Sequence, residues 1–302
     1  MKILITGGSG FIGRHLVNHF ISEGHTVTVL TRNINQASNV LHSSVVLYYW
    51  NPLQKICPVE IVASSDVVIH LAGENIVGWW NEKKRSLIKE SRISSTSILV
   101  DCFKNNSQKP KKFVSMSAVA YYGDCGDEML SEDSSVGEDF LAVACQEWEE
   151  ESNRSMALGV PSVQLRTSIV LSDTGGALKR LVPVYNLGFG AKLGGGNQWW
   201  PWIHIDDFVS ITKFVIENEL TGTFNVSAPY PIRQNEFAQQ LAQVLNRHAL
   251  FSIPKFFLRM ILGELALEMI GSRRVIPEKL LNEGFIFKHP EFIDALNDLM
   301  GR

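Results

Sequence analysis

The chain has 302 residues, 28 Lys and Arg against 31 Asp and Glu, and a formal net charge of −3. That length can bury one large α/β core, or a nucleotide domain plus a smaller lobe. A near-neutral balance with no run of Lys or Arg points to neither nucleic acid nor an anionic membrane, which leaves small molecules as the better partner class.

From the amino end, KILITG is a short apolar run ending in glycines. FIGRHLVNHFISEG then carries apolar residues at helical spacing and stops at Gly24, and TVTVLT reads as a second strand. Strand signals recur in VVLYYW, DVVIHLAG, KKFVSMSA and VPSVQLRTSIVL, with a polar helix from about Asn81 to Lys104 and another from about Phe140 to Ala157. Strands alternating with helices predict a Rossmann-type α/β fold, a doubly wound parallel sheet over residues 1–172. After Ser172 the rhythm loosens into glycine-marked loops, the aromatic run WWPWIHIDD and three further helical stretches. Residues 173–302 are therefore expected to form a smaller, largely helical substrate-side lobe, partly interleaved with the first domain. Within it PKFFLRMILGELALEMIG is interrupted by Arg259, Glu264 and Glu268, which makes it an amphipathic or buried helix and not a membrane span. Because the amino terminus is already strand, no signal peptide is expected. Cys57, Cys102, Cys125 and Cys145 have neither CxxC nor metal-ligand spacing, consistent with buried free thiols in a reduced, cytoplasmic protein without a metal site.

Gly7, Gly10 and Gly13 form G-x-x-G-x-x-G between a predicted strand and a predicted helix. Glycines there allow a tight turn, close backbone approach to a pyrophosphate and close helix packing. Phosphate would then sit on the first-turn amides, around Phe11, Ile12 and Gly13. The second strand ends in Thr31 and Arg32 with no carboxylate, and a cation at this place favours the extra phosphate of NADP(H) over the ribose hydroxyls of NAD. The alternative is that Arg32 is simply a solvated surface residue.

TGGSGFIG, DVVIHLAG, FVSMSAVAYYG and WIHIDD together resemble the extended short-chain dehydrogenase/reductase superfamily, which includes nucleotide-sugar epimerases and dehydratases. HLAGENI, KESRISST, FLAVACQEWEEE, GGNQWWPWIHIDD, GTFNVSAP and VIPEKLLNEGFIFKHPEF resemble more specifically its atypical YfcH-like epimerase branch, over essentially the whole chain. The resemblance implies cofactor contacts at Leu71, Ala72 and Gly73 and a substrate-orienting hydroxyl at Ser117. It also implies a Tyr-x-x-x-Lys acid–base pair on the next helix, and this chain has none. Phe140 or Leu141 falls in the tyrosine place, and Ala144 or Cys145 in the lysine place. Cys145 has no cationic sequence neighbour to activate it and reads as a buried apolar residue. Tyr121 and Tyr122 follow Ser117 at a strand's carboxyl end and offer a substitute phenol, although a lid or packing role is open for both. Arg92 stands where the superfamily carries asparagine. It either faces the cofactor or substrate or pairs with Glu90 on the helix surface.

Five indoles in two loop-like segments, Trp79, Trp80, Trp199, Trp200 and Trp202, suggest an aromatic wall at a pocket mouth. His204 and Asp206 are read as an anchor of the second lobe, and Arg166 as a structural strand arginine. The expected function is that of an NADP(H)-dependent epimerase-family oxidoreductase acting on a small hydroxylated, carbonyl or nucleotide-linked substrate. Ser117 would orient that substrate, and Tyr121 or water would handle the proton. The alternative is a catalytically silent NADP(H)-binding sensor. A small-molecule partner is expected, without nucleic acid or membrane, and the oligomeric state is open.

Overall fold

In the computed structural model, which describes residues 1–104, 106 and 108–301, seven strands form the central sheet. These are β1 (Lys2–Thr6), β2 (Thr26–Thr31), β3 (Val46–Tyr49), β4 (Val67–His70), β5 (Lys112–Ala118), β6 (Ser162–Thr167) and β7 (Gly222–Val226). Their order is β7-β6-β5-β4-β1-β2-β3 and every neighbouring pair is parallel. Ile3 and Ile5 enter one apolar cluster with Leu16 and Phe20, while Leu4 between them enters another with Leu99 and Phe103. A sheet covered on both faces needs continuous apolar strands of this kind.

The longer helices are α1 (Phe11–Ser22), α2 (Glu82–Asp101), α3 (Phe140–Ala157), α4 (Leu178–Asn186), α5 (Ile205–Glu217), α6 (Gln234–Val244), α7 (Lys255–Leu262), α8 (Leu265–Ile270) and α9 (Phe292–Leu299). Asn81 and Asp139 start α2 and α3 by accepting from the amides of Lys84 and Ala142.

Several expectations are corrected. VPSVQLRTSIVL is two strands, because Ser168 breaks away to bond the Val226 carbonyl through both its amide and its hydroxyl. The continuation, Ile169–Leu171, pairs with Trp202–His204 outside the main sheet. GTFNV, unassigned as a strand from pattern alone, is β7 and completes the edge of the main sheet beside β6. PKFFLRMILGELALEMIG is split into α7 and α8 by Gly263, whose φ of 59° lies in the left-handed region. The four cysteines are free, but only Cys102 and Cys145 are buried; Cys57 and Cys125 are half-exposed.

Candidate functional site

The site is assembled at the carboxyl ends of β1, β2, β4 and β5. β1 and β4 are adjacent, yet the chain leaves β1 towards β2 and β3 on the other side, so a topological switch point opens between them. At that crevice Gly7 has φ 70°, and a Cβ on it would lie 3.1 Å from the Ala72 amide nitrogen. A Cβ on Gly13 would be 2.3 Å from the Gly7 carbonyl oxygen, so α1 packs on the turn as only glycine permits. Gly10 is the N-cap and supplies no side-chain cap, which leaves first-turn amides, those of Phe11 and Ile12 among them, facing the crevice. The Phe11 ring lies against Gly175, where a Cβ would come within 2.2 Å of it, joining the turn to the second half of the chain. Thr31 accepts from the Asn33 amide at the end of β2, and Arg32 beside it is exposed with no ion pair among the described residues.

Leu71, Ala72 and Gly73 leave β4, and the Ala72 amide donates to Thr6 Oγ1 at 3.3 Å. Beneath them Thr6 Oγ1 meets His70 Nδ1 at 2.6 Å, and His70 Nε2 meets Ser95 Oγ at 2.9 Å. This buried chain ties β1 and β4 to α2; burial pulls His70 down to about 3 and keeps it neutral. No spacing in the sequence signals it. Arg92 does not pair with Glu90, which instead accepts from Ser86. Its guanidinium lies 5.3 Å from the Trp148 ring centroid and donates to the Ile88 carbonyl, and a Cβ on Gly73 would be 3.4 Å from its Cζ. Arg92 therefore underlies the exit of β4, where burial works against its charge.

Around the end of β5, side chains are committed to one another. Ser117 is 2% exposed and donates to Glu149 Oε1 at 2.6 Å. Arg166 grips the same carboxylate with Nε and Nη2, both at 2.9 Å, and donates through Nη1 to the Tyr122 hydroxyl at 2.9 Å. Burial disfavours the Arg166 charge, but the Glu149 hydrogen bonds and charge outweigh it and hold the guanidinium ionised. The Tyr122 hydroxyl in turn donates to Asn225 Oδ1 at 2.7 Å and is pushed up by burial to about 12. Tyr121 is half-buried, and its hydroxyl has no hydrogen-bond partner among the described residues; its ring lies under Arg166, with Cζ 3.4 Å from the centroid.

Leu141, Cys145 and Glu149 fall at i, i+4 and i+8 of α3 and are all buried. Leu141 and Cys145 lie in a cluster with Trp80, Ile88 and Ala120, Phe140 packs against that cluster and Ala144 is also buried, so either placement of the missing acid–base pair falls on apolar side chains or a buried thiol. Arg92 is near enough to favour a Cys145 thiolate, but burial dominates and pushes the thiol up to about 12. Glu149 was hidden in the acid-rich run QEWEEE, which gives no sign that one of its four carboxylates turns inward.

Beside Leu141 lies a cavity of about 340 Å³, walled by Trp80, Phe140 and Leu267 and by the polar Asp139, Glu268 and Arg273. Arg273 Nη2 donates to Glu268 Oε1 at 3.1 Å; burial still raises Glu268 above the ordinary carboxylate range. The expected wall of five indoles is corrected to one. Trp200 and Trp202 are buried in the core of the second half, Trp199 holds Asp127, and Trp79 is exposed, leaving Trp80 in the cavity.

His204 Nδ1 accepts from the Asp206 amide and caps α5, while Asp207 accepts from the amides of Lys288 and His289. The His204 and His289 rings stack at 3.8 Å. Donor atoms of His204, Asp206 and His289 lie within 4.8 Å of one another. With Nδ1 accepting, however, the His204 ring proton sits on Nε2, 3.4 Å from Asp298 Oδ2, and no lone pair is left for a metal. WIHIDD is an anchor for the carboxyl-terminal segment.

Residues 3–227 match the model of the NAD dependent epimerase/dehydratase family, and residues 253–299 match that of a domain of unknown function. Epimerase family protein YfhF of Bacillus subtilis is 33% identical, with 99% of this chain and 98% of that protein covered. The chloroplastic SDR39U1 homolog of Arabidopsis thaliana, also named an epimerase family protein, is 34% identical over 99% of this chain and 87% of its own length. The crystal structure of human epimerase family protein SDR39U1 with NADPH superposes with a TM-score of 0.87, at 29% identity and full coverage of both chains. With a family model over residues 3–227 and a relative 33% identical over 99% of its length, the chain belongs to the NAD dependent epimerase/dehydratase family.

Proposed function

We propose that the chain is an NADP(H)-dependent oxidoreductase of this family, working in a reducing, cytoplasmic compartment on a small hydroxylated or carbonyl substrate. The observation that carries the reading is the uncapped, glycine-packed start of α1 at the switch point, with the unpaired Arg32 at the end of the next strand. The residues present fit a dinucleotide: the amides of Phe11 and Ile12 for the diphosphate, Thr31 and Arg32 for the ribose phosphate, and Leu71 to Gly73 with Arg92 along β4. A relative solved with NADPH supports the same assignment. The bound nicotinamide would supply or accept the hydride.

Tyr121 is the proton-handling group in this reading, because its hydroxyl is uncommitted and its ring packs against the apolar cluster that holds Leu141, itself a wall of the cavity. Ser117 becomes a positioning residue: it holds Glu149, which holds Arg166, which lies on the Tyr121 ring. One observation favours a second reading, a silent NADP(H) sensor: Leu141 and Cys145 cannot replace the usual tyrosine and lysine.

Titration and turnover separate these. Arg32→Ala should weaken NADPH binding by at least about tenfold while leaving NADH unchanged; equal affinity of the wild type for both cofactors refutes the NADP(H) assignment. On a panel of aldehydes, ketones and nucleotide sugars, turnover lost in Tyr121→Phe supports the enzyme. NADPH binding without turnover across the panel supports the sensor.

A further inference from the structure

The net charge of −3 conceals an uneven distribution. Residues 174–205 and 237–263 contain no Asp or Glu and six Lys or Arg, so every carboxylate side chain lies elsewhere in the chain. The structure brings these two stretches together. Phe251–Ile253 pairs with Ala191–Leu193, Arg247 Nε donates to the Asn186 carbonyl at 3.2 Å, and a Cβ on Gly194 would touch Lys255 Cγ at 3.2 Å. Lys192, Arg247, Lys255 and Arg259 form no ion pair among the described residues.

Large apolar side chains stand out from the same surface. On α7 Phe256 is 72% and Ile261 63% exposed, with Phe257 and Met260 also outward, and Leu258 is the only buried residue of that helix. Next to it Leu250 is 82% exposed, with Phe251, Phe189 and Leu187 outward on the paired stretch. Exposed aromatics and aliphatics are unfavourable in water unless something covers them.

We infer that this face docks onto the surface of an anionic lipid bilayer, with α7 lying in the interface and not crossing it. Phe256 and Ile261 would enter the boundary between headgroups and acyl chains, while Lys192, Arg247, Lys255 and Arg259 meet lipid phosphates. No helix among the described residues is long and apolar enough to cross a membrane. A second copy is the poorer occupant, since an isologous contact would set Lys192, Arg247, Lys255 and Arg259, none of them ion-paired among the described residues, against the same four cations. Lys255 and Leu267 also wall the 340 Å³ cavity, so docking would bring that cavity to the headgroup layer.

The test is co-sedimentation of the full chain with vesicles of phosphatidylcholine alone or with phosphatidylglycerol admixed. Binding is expected only to the anionic vesicles, weakening with added salt. It should fall by at least about tenfold in Phe256→Ser/Ile261→Ser and in Lys192→Gln/Arg259→Gln, with far-UV circular dichroism unchanged. Should either variant fail to fold, amide hydrogen exchange of the wild type decides: anionic vesicles should protect residues 250–263. No binding, equal binding to neutral vesicles, no protection there, or a dimer dissociated by Phe256→Ser/Ile261→Ser would each overturn the inference.

Discussion

The two ends of the crevice differ in what they are made of. At the β1–α1 end the site is backbone: a turn, an uncapped helix start and glycines whose missing side chains are the point of contact. At the β5–α3 end it is side chains, and there Phe140 or Leu141 and Ala144 or Cys145 stand where an acid–base pair would be, while Ser117, Glu149 and Arg166 satisfy one another. A backbone cradle depends on a few glycines and is kept or lost as a unit. A side-chain constellation can be rebuilt residue by residue on the same strands.

The sharpest way to break this contrast is Glu149→Ala. If the network is structural, removing one partner leaves Arg166 buried and uncompensated, at a cost of about 3–5 kcal/mol in urea unfolding; unchanged stability would make Glu149 a group reserved for chemistry. Next in size, Gly13→Ala places a Cβ against the Gly7 carbonyl. It should reduce NADPH binding in a fluorescence titration by about a hundredfold, through the several kcal/mol of overpacking at the turn. Undiminished binding would remove the backbone account of the cradle.

A smaller effect tests the anchors behind the crevice. Burial lowers His70 to about 3 and His204 to about 4, against an ordinary value of 6.5. Between those values the unfolded chain takes up protons that the folded chain refuses. Stability is therefore fully present above about pH 6.5 and falls as the pH is lowered through the window. The urea midpoint should be lower at pH 5 than at pH 7.5, and His204→Asn, which can still cap α5, should flatten that slope. Smallest of all, Cys145 should resist iodoacetamide in the native state, because burial keeps it a thiol.

The sequence was most readable where one residue type has one physical use. Gly7, Gly10 and Gly13 mark the turn, and alternating elements imply the parallel sheet. It was least readable where partners come from distant segments. Nothing near Ser117 announces Glu149 on the next helix, and nothing near Trp202 says that it packs on Phe292 and not on a ligand. β7 escaped because GTFNV is short and lies after the loops, where pattern alone gives no reason to return to the first sheet. The charge of the whole chain is an average: at −3 it does not show that residues 174–205 and 237–263 carry six Lys or Arg and no Asp or Glu.

The late arrival of β7 has a consequence for biosynthesis. While the chain is emerging from the ribosome, β6 is the outermost strand on its side, all of it destined for burial, with unpaired amides and carbonyls along its open edge. That edge stays open until Gly222–Val226 has been translated, so the nascent chain passes through an adhesive intermediate that invites chaperone capture.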